Sequence, residues 1–180
     1  PSLREGTPLE GAAVLALERA VAFVASLDRA MRALARARRS RRELARRLAR
    51  GQPDGEVVAR VLDRLERLGL LDDGEVARAE AASRFRRGEG AGRVRQALAR
   101  KGIELSLVDA AVRDVSAEES VDETALCRTA AEKRLRALRT HPPDVQRRRL
   151  TGFLLRRGFD GATVHATVRR LLRQGWEGDG

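Results

Sequence analysis

Arginine side chains recur at helical spacing on one short stretch of the chain, and their type and order suit the binding of anions. Arg39, Arg42, Arg46 and Arg50 step by three and four residues, which places them on one face of a helix. A guanidinium group binds a phosphate or a carboxylate through paired hydrogen bonds. This face therefore predicts an anionic partner, either a nucleic-acid backbone or an acidic protein surface.

Two further basic clusters follow, one between Arg84 and Lys101 and one between Arg147 and Arg157. Phenylalanines are few and most sit at core spacing, so the sequence does not predict stacking on bases. We expect contact with the partner from a set of residues chosen by charge: Arg38, Arg39, Arg42, Arg46, Arg50, Arg86, Arg87, Arg93, Arg95, Arg100, Lys101, Arg147 and Arg148.

The charge of the whole chain supports the same interpretation. Its formal net charge is +11, which favours nucleic acid or an assembly that contains it. The two lysines, Lys101 and Lys133, stand against a large excess of arginine, a bias typical of a GC-rich genome. That bias explains arginine over lysine but does not explain the excess of positive charge.

Residues that could support catalysis or hold a cofactor do not form a recognisable set. There is no Gly-x-x-x-x-Gly-Lys phosphate loop, and His141, His165 and Cys127 lack metal-ligand spacing. Asp72 and Asp73 are adjacent and would project about 100° apart on a helix, so capping explains them better than paired acid–base work. We predict no catalytic residue, no metal and no cofactor, and therefore a protein that is not an enzyme.

A glycine-rich segment, Gly88 to Gly92, is the other motif that calls for an explanation. No strand precedes it, so it does not fit a dinucleotide-binding loop. The sequence predicts a hinge between two helices.

Helices must position the basic side chains, because alanine, leucine, arginine and glutamate dominate the chain and alternating β-branched runs are missing. Ser40 can cap a helix and Glu43 can reach back to it, an arrangement called a capping box. Leu44 and Leu48 then share the buried face. The predicted fold class is all-α.

Further helix bounds follow from the same signals. A long helix from Gly11 to Arg38 would bury Leu17, Val21, Val24, Leu27, Met31 and Leu34. Asp72 and Glu75 predict a cap for a helix from Asp73 to Arg87. Ser116 and Glu119 predict the opening of another, which would run to about Arg139.

An internal repeat organises these helices. The pairs Leu44/Leu48, Val94/Leu98 and Leu150/Leu154 are each four residues apart, and an acid follows six residues after each pair: Asp54, Glu104 and Asp160. Glycine fills the intervening turn at Gly102 and Gly158, while Gln52-Pro53 departs from the pattern.

The repeat predicts three tandem three-helix units, at 12–70, 71–115 and 116–174, stacked into an elongated, curved array. A loose arm at 1–11 and a tail at 175–180 would flank them. The structural positions on which this rests are Ser40, Glu43, Leu44, Leu48, Asp72, Asp73, Leu98, Gly102, Leu154 and Gly158.

Cysteine usage and hydropathy bear on location. A single cysteine cannot form an internal disulfide, which favours a reducing compartment. No apolar run approaches the roughly 20 residues of a membrane span. We expect a cytoplasmic monomer with no membrane association.

Several motifs, in order, resemble the RecX regulatory proteins of bacteria. They are Arg-Ser-Arg-Arg-Glu-Leu at 39–44, Leu-Gly-Leu-Leu-Asp-Asp at 68–73, Gly-Ala-Gly-Arg-Val-Arg-Gln-Ala-Leu-Ala-Arg-Lys-Gly-Ile at 90–103, and Leu-Leu-Arg-Arg-Gly-Phe-Asp at 154–160. The resemblance covers about residues 15 to 174.

This resemblance implies a modulator of the RecA recombinase that lies in the groove of the RecA–DNA filament. It would there inhibit ATP hydrolysis, strand exchange and the co-protease activity of the SOS response, and so act in DNA repair and homologous recombination. The residues alone leave two other hypotheses open. One is a general helical protein that binds single- or double-stranded DNA through its arginine-rich surface, and the other is a helical adaptor.

Overall fold

The chain folds into helices joined by short turns. The computed structural model describes residues 11–51 and 54–177, and within those ranges it holds nine helices and no strand. The helices are α1 (Gly11–Arg36), α2 (Arg41–Ala49), α3 (Gly55–Arg67), α4 (Asp73–Arg86), α5 (Ala91–Arg100), α6 (Leu105–Glu118), α7 (Glu123–Arg136), α8 (Pro143–Arg156) and α9 (Gly161–Glu177). The predicted all-α class is confirmed.

Three hydrophobic cores divide the helices into groups of three. One core joins α1 to α3, a second joins α4 to α6, and a third joins α7 to α9. The first group lies in one compact unit, Pro1–Asp73, and the other two lie together in a second, Gly74–Gly180. The predicted three-helix repeats are therefore confirmed. The elongated shape and the domain bounds stay predictions.

The capping box that opens α2 forms as the sequence predicts. The backbone N–H of Glu43 donates to the Ser40 hydroxyl at 3.1 Å, and the Ser40 N–H donates to the Glu43 carboxylate at 3.0 Å. Leu44 and Leu48 are both 0% exposed. The box fixes where α2 begins, and its start decides which side of the helix is buried and which side carries arginine.

The repeat positions occupy equivalent places in each group. The paired apolar residues Val94/Leu98 and Leu150/Leu154 are as fully buried as the pair on α2. Gly102 and Gly158 end α5 and α8 with φ of +76° and +84°, a conformation that a residue with a side chain rarely adopts. The repeat alignment therefore describes the packing correctly.

The acids that follow each pair differ in what they do. Asp54 accepts a hydrogen bond from the Glu56 N–H at 3.0 Å, and Asp160 accepts one from the Thr163 N–H at 2.9 Å. Glu104 precedes α6 without a side-chain capping bond. Asp and Asn are short enough to cap their own helix, whereas the longer glutamate is not a favoured N-cap. The Gln52-Pro53 turn lies outside the described residues.

The predicted apolar face of α1 is largely wrong. Val21 and Val24 are 62% and 65% exposed, and Leu17 and Met31 are exposed as well. The residues that enter the core are Ala30 and Ala33, with Phe23, Leu27 and Leu34 packed around them. Alanine lets α1 approach α2 and α3 closely, so the buried side is set by small residues that a search for large apolar side chains passes over.

The predicted helix start at Ser116 is also wrong. Ser116 lies inside α6, which continues to Glu118, and Ser120 adopts a φ of +48° in the turn that follows. The next helix, α7, opens at Asp122, whose carboxylate accepts hydrogen bonds from the N–H groups of Thr124 and Ala125 at 2.9 and 3.0 Å. A better cap six residues later prevails over the Ser116 signal.

Other predicted bounds shift by smaller amounts. The long first helix ends at Arg36 and not at Arg38, and α4 ends at Arg86 and not at Arg87. The helix predicted to reach Arg139 ends at Arg136, and α9 runs to Glu177, into the stretch expected to be a tail. Residues 1–10 of the predicted arm lie outside the described part of the chain. No described helix has the length and apolar character needed to cross a membrane.

Candidate functional site

The outer face of α2 presents the predicted row of arginines. Arg42, Arg46 and Arg50 are all exposed, and no acid bonds to them within residues 11–51 and 54–177. Arg38 is exposed just before the helix, whereas Arg39 is half-buried and its Nε lies 3.4 Å from the Ala33 carbonyl. We call Arg42, Arg46 and Arg50 the α2 face, and it carries concentrated positive charge.

Arg41 points away from the α2 face and serves the fold. Its Nη2 lies 2.7 Å from the Asp63 carboxylate, and its Nη1 bonds to Glu66. Hydrogen bonds to Asp63 and Glu66 raise the pKa of this guanidinium. The result is an ion pair between α2 and α3 that leaves Arg41 unavailable to a partner.

Asp73 anchors the same corner. Its carboxylate accepts the backbone N–H of Arg41 at 2.7 Å, so it ties the start of α4 to the start of α2. Burial raises the pKa of Asp73, and the hydrogen bond from Arg41 opposes that shift. The prediction that the Asp72-Asp73 pair is structural is thus supported at Asp73, although the bond caps α2 and not α4.

Acids on neighbouring helices engage much of the second predicted cluster. Arg95 lies 2.9 Å from Asp109, Arg86 lies 2.8 Å from Glu119, and Lys101 lies 4.0 Å from Glu80. These acids are far away in sequence or on another face, so charge counting along the chain does not reveal the pairs. Arg100 is exposed, with no ion pair among the described residues.

Arg84 is the centre of this cluster and the most enclosed of its members. It binds Glu80 at 2.7 Å and Glu89 at 2.8 Å. Burial lowers the pKa of Arg84, but the hydrogen bonds to Glu89 and Glu80 outweigh burial and raise it. Glu89 also lies 3.4 Å from Arg93. This network stabilises the end of α4 and does not offer open charge.

The third cluster divides in a similar way. Arg148 is exposed on α8, and Arg149 contacts the His141 Nε2 at 2.7 Å. Arg147 lines a cleft of about 600 Å³ between α8 and α9, together with Arg169 and Arg173 around an apolar floor. The predicted pair Arg147 and Arg148 is therefore open to solvent, but on a different side of its unit from Arg157.

The glycine-rich segment after α4 is a joint between the second and third three-helix groups. The Gly90 N–H donates to the Arg157 carbonyl at 2.8 Å, and the Gly92 N–H donates to the Gly158 carbonyl at 3.0 Å. A Cβ on Gly90 would lie 2.6 Å from the Gly158 carbonyl. The predicted hinge is therefore wrong, because two backbone hydrogen bonds and the close approach fix this segment in place.

A groove beside this joint collects positive side chains that are distant in sequence. It encloses about 590 Å³, and its lining is Arg86, Arg87, Gly88, Leu126, Thr129, Ala130, Lys133, Arg134, Ala137, Phe153 and Arg157. We call it the cationic groove. Of its five cations, the sequence singled out Arg86 and Arg87 as contact residues.

Sequence reasoning missed Lys133, Arg134 and Phe153 as site residues. The basic end of α7, with Lys133, Arg134 and Arg136, was a local signal that could have found the first two. Their position beside Arg157 follows only from the packing of α7 against α8. The guanidinium carbons of Arg157 and Arg134 lie 5.2 and 5.6 Å from the centre of the Phe153 ring, close enough for cation–π attraction.

Groups suited to metal binding or nucleophilic chemistry do not converge at either surface. No cluster of His, Cys, Asp or Glu that could hold a metal occurs in the part of the chain that the structure describes. Cys127 is 0% exposed, and burial raises the pKa of its thiol. What the α2 face and the cationic groove can do is bind anions.

Comparison with known protein families gives three matches along the chain. Family models described as the first, second and third three-helix domains of RecX match residues 27–65, 72–112 and 122–168. These three stretches correspond to the three hydrophobic cores.

Comparison with known proteins points the same way. The chain is 40% identical over 120 residues to the regulatory protein RecX of Chlorobaculum tepidum, covering 66% of this chain and 71% of that one. It is 38% identical over 123 residues to that of Streptomyces coelicolor, covering 66% of this chain and 62% of the relative.

Two solved structures share the fold. A crystal structure of regulatory protein RecX superposes with a TM-score of 0.78 at 23% identity, covering 92% of this chain and 80% of that chain. The crystal structure of RecX from Lactobacillus salivarius gives a TM-score of 0.72 at 18% identity, covering 84% of this chain and 97% of that chain.

Proposed function

Because the chain belongs to the RecX family of regulatory proteins, we propose that it regulates a RecA recombinase by binding the filament that RecA forms on DNA. In this proposal it lies in the filament groove and inhibits ATP hydrolysis, strand exchange and co-protease activity. It would thereby act as a monomer in the cytoplasm, in homologous recombination, DNA repair and the SOS response.

The single observation that carries the proposal is the α2 face. Three guanidinium groups stand exposed at helical spacing, and they lack acidic neighbours among the described residues. Exposed and unneutralised arginine adds little to stability, since a surface charge gains little without a partner. The arrangement is therefore better explained by a partner that brings negative charge, either the acidic lining of the filament or the DNA inside it.

The mode of action follows from binding and needs no catalytic group. A ligand that binds the assembled filament in one conformation shifts the filament towards that conformation. A conformation that is less able to hydrolyse ATP or exchange strands would then accumulate. This regulator would act by differential binding, which fits the regulatory family and the anion-binding character of both surfaces.

The experiment that tests the proposal is a titration of this protein into preformed RecA–DNA filaments, with DNA-dependent ATP hydrolysis as the readout. A parallel series contains excess bare DNA as a competitor. We expect inhibition at fewer than one molecule per RecA subunit, and we expect it to survive the competitor. Inhibition that tracks only the amount of DNA sequestered would overturn the proposal and favour the general nucleic-acid-binding protein.

A pair of variants locates the contact. Arg42→Glu with Arg46→Glu reverses two charges on the α2 face, and we expect it to raise the concentration needed for inhibition by about tenfold or more. Arg64→Glu with Arg67→Glu makes the same change in net charge on the exposed side of α3. Equal losses in both variants would show that total charge, and not the α2 face, determines binding.

A further inference from the structure

The cationic groove carries more positive charge than its neighbours neutralise. Its lining contains five cations and no carboxylate. Glu119 bonds to Arg86 at 2.8 Å, and Glu80 lies 4.0 Å from Arg87. Lys133 and Arg134 are exposed and have no ion pair within the described ranges 11–51 and 54–177. The groove therefore holds a local excess of positive charge.

Contacts to the fold hold part of this charge in position. The Nη1 of Arg157 donates to the Gly88 carbonyl at 3.0 Å and lies 3.4 Å from the Arg87 carbonyl, both just after α4. Carbonyl groups at the end of a helix carry partial negative charge and attract a cation. A side chain that is already ordered loses little entropy when a ligand binds. Arg157 is thus arranged before any ligand arrives.

The aromatic ring in the groove is already occupied. Arg134 and Arg157 both lie over Phe153 at cation–π distance. A ring that holds guanidinium groups is not open for a base to stack on, so recognition of individual bases is not expected.

The positive row continues past the ring. A second cleft of about 340 Å³ shares Phe153 and Arg157 with the groove and adds Arg93 and Arg156. Its one lining carboxylate, Glu89, is already bonded to Arg84 at 2.8 Å. Cations therefore line both sides of Phe153, as a ligand with regularly repeated negative charge requires.

Hydrogen-bonding capacity distinguishes two kinds of anionic ligand. The lining side chains of the groove are donors, and Thr129 is the one neutral polar side chain among the lining residues described. The Gly88 carbonyl already accepts from Arg157. An acidic protein segment brings N–H groups that need acceptors, whereas a phosphodiester brings acceptors alone. The groove matches the phosphodiester.

We propose that the cationic groove binds the sugar–phosphate backbone of nucleic acid directly and without reading its sequence. The groove gives the protein its own DNA contact within the Gly74–Gly180 unit. This inference deepens the proposed function, because that contact would lie against the strand inside the filament. It can nevertheless be tested without RecA.

The test measures the binding of the whole protein to a fluorescein-labelled oligonucleotide by fluorescence anisotropy, over a series of salt concentrations. Single-stranded and duplex forms of one mixed sequence are compared. The groove variant is Lys133→Gln with Arg134→Gln. The control is Arg136→Gln with Arg139→Gln, which removes the same charge from exposed residues close by that do not line the groove.

We expect the groove variant to flatten the dependence of log affinity on log salt by about 1.4 for single strands and about 1.8 for duplex, since each lost phosphate contact removes about 0.7 or 0.9. The control should keep the slope of the original protein. The form of DNA that shows the larger loss identifies the natural ligand of the groove.

Equal slopes in the groove variant and the control would overturn the proposal, because charge alone would then explain binding. Unchanged DNA binding together with lost binding to poly-glutamate would overturn it in favour of an acidic protein partner. If the groove variant loses DNA binding while the unaltered protein fails to inhibit RecA, the groove proposal survives and the proposed function does not.

Discussion

The backbone N–H of Gly92 donates to the carbonyl oxygen of Gly158 at 3.0 Å, so the second and third three-helix groups meet backbone to backbone. No side chain fits between them at this point. A Cβ on Gly158 would lie 2.0 Å from the backbone nitrogen of Arg93. The joint that positions the cationic groove therefore depends on glycine at both partners.

Replacing Gly158 by alanine is expected to destabilise the fold by about 2–5 kcal/mol. The positive φ of Gly158 accounts for about 1–2 kcal/mol of this, and the overlap with the Arg93 backbone accounts for about 1–3 kcal/mol. The measurement is chemical denaturation followed by circular dichroism. The control is Gly69→Ala, since Gly69 has a φ of +66° but open space around its Cα. A loss for Gly158→Ala no larger than for the control would contradict the close approach.

Truncation of Leu48 or Leu98 tests the repeat packing. Both side chains are fully buried, and we expect Leu→Ala to lower the free energy of unfolding by about 2–5 kcal/mol through the cavity it leaves. Val24→Ala should change it by less than about 0.5 kcal/mol, because Val24 is exposed on α1. Thermal melting of the three variants compares them directly. A severe loss from Val24→Ala would restore the apolar face first predicted for α1.

Asp160 provides a pH-dependent part of the stability. Hydrogen bonds from Thr163 hold the pKa of this carboxylate below its ordinary value of 3.8. A carboxylate with a lowered pKa stabilises the fold above the pKa of the unfolded chain, and that stabilisation disappears as pH falls through the folded pKa. We expect Asp160→Ala to cost about 0.5–2 kcal/mol at neutral pH and nothing once the carboxylate is protonated.

Two further variants separate the cap from its charge. Asp160→Asn keeps an acceptor for the Thr163 N–H, so it should retain most of the stability and lose its pH dependence. Glu104→Ala changes the equivalent position before α6, where no side-chain capping bond exists, and should have little effect. Denaturant midpoints measured between neutral and acidic pH give the comparison. A large cost from Glu104→Ala would mean that helix charge, not the cap, is responsible.

Cys127 is expected to resist modification in the folded protein. Its side chain is buried within the third core, and burial raises the pKa of the thiol, which disfavours the reactive thiolate. Its reaction with a water-soluble disulfide reagent should be slower by more than about tenfold in buffer than in strong denaturant. Fast reaction in buffer would show that α7 opens readily from α8 and α9.

Interactions between near neighbours were decided by the sequence alone. The capping box of Ser40 and Glu43, the buried pair Leu44 and Leu48, and the glycine turn at Gly158 each depend on residues within one or two helical turns. Spacing along the chain fixes their geometry once a helix forms. The three-helix repeat followed from the same local patterns, because each copy repeats them at equal offsets.

Interactions between distant residues needed the tertiary structure. Arg41 meets Asp63, Arg86 meets Glu119, and Arg157 meets Gly88, so arginines that look alike in sequence divide into paired and open groups. The buried side of α1 was likewise set by the contact of Ala30 and Ala33 with neighbouring helices. Helical periodicity shows which residues share a face, but only packing decides which face is covered and which charges are neutralised.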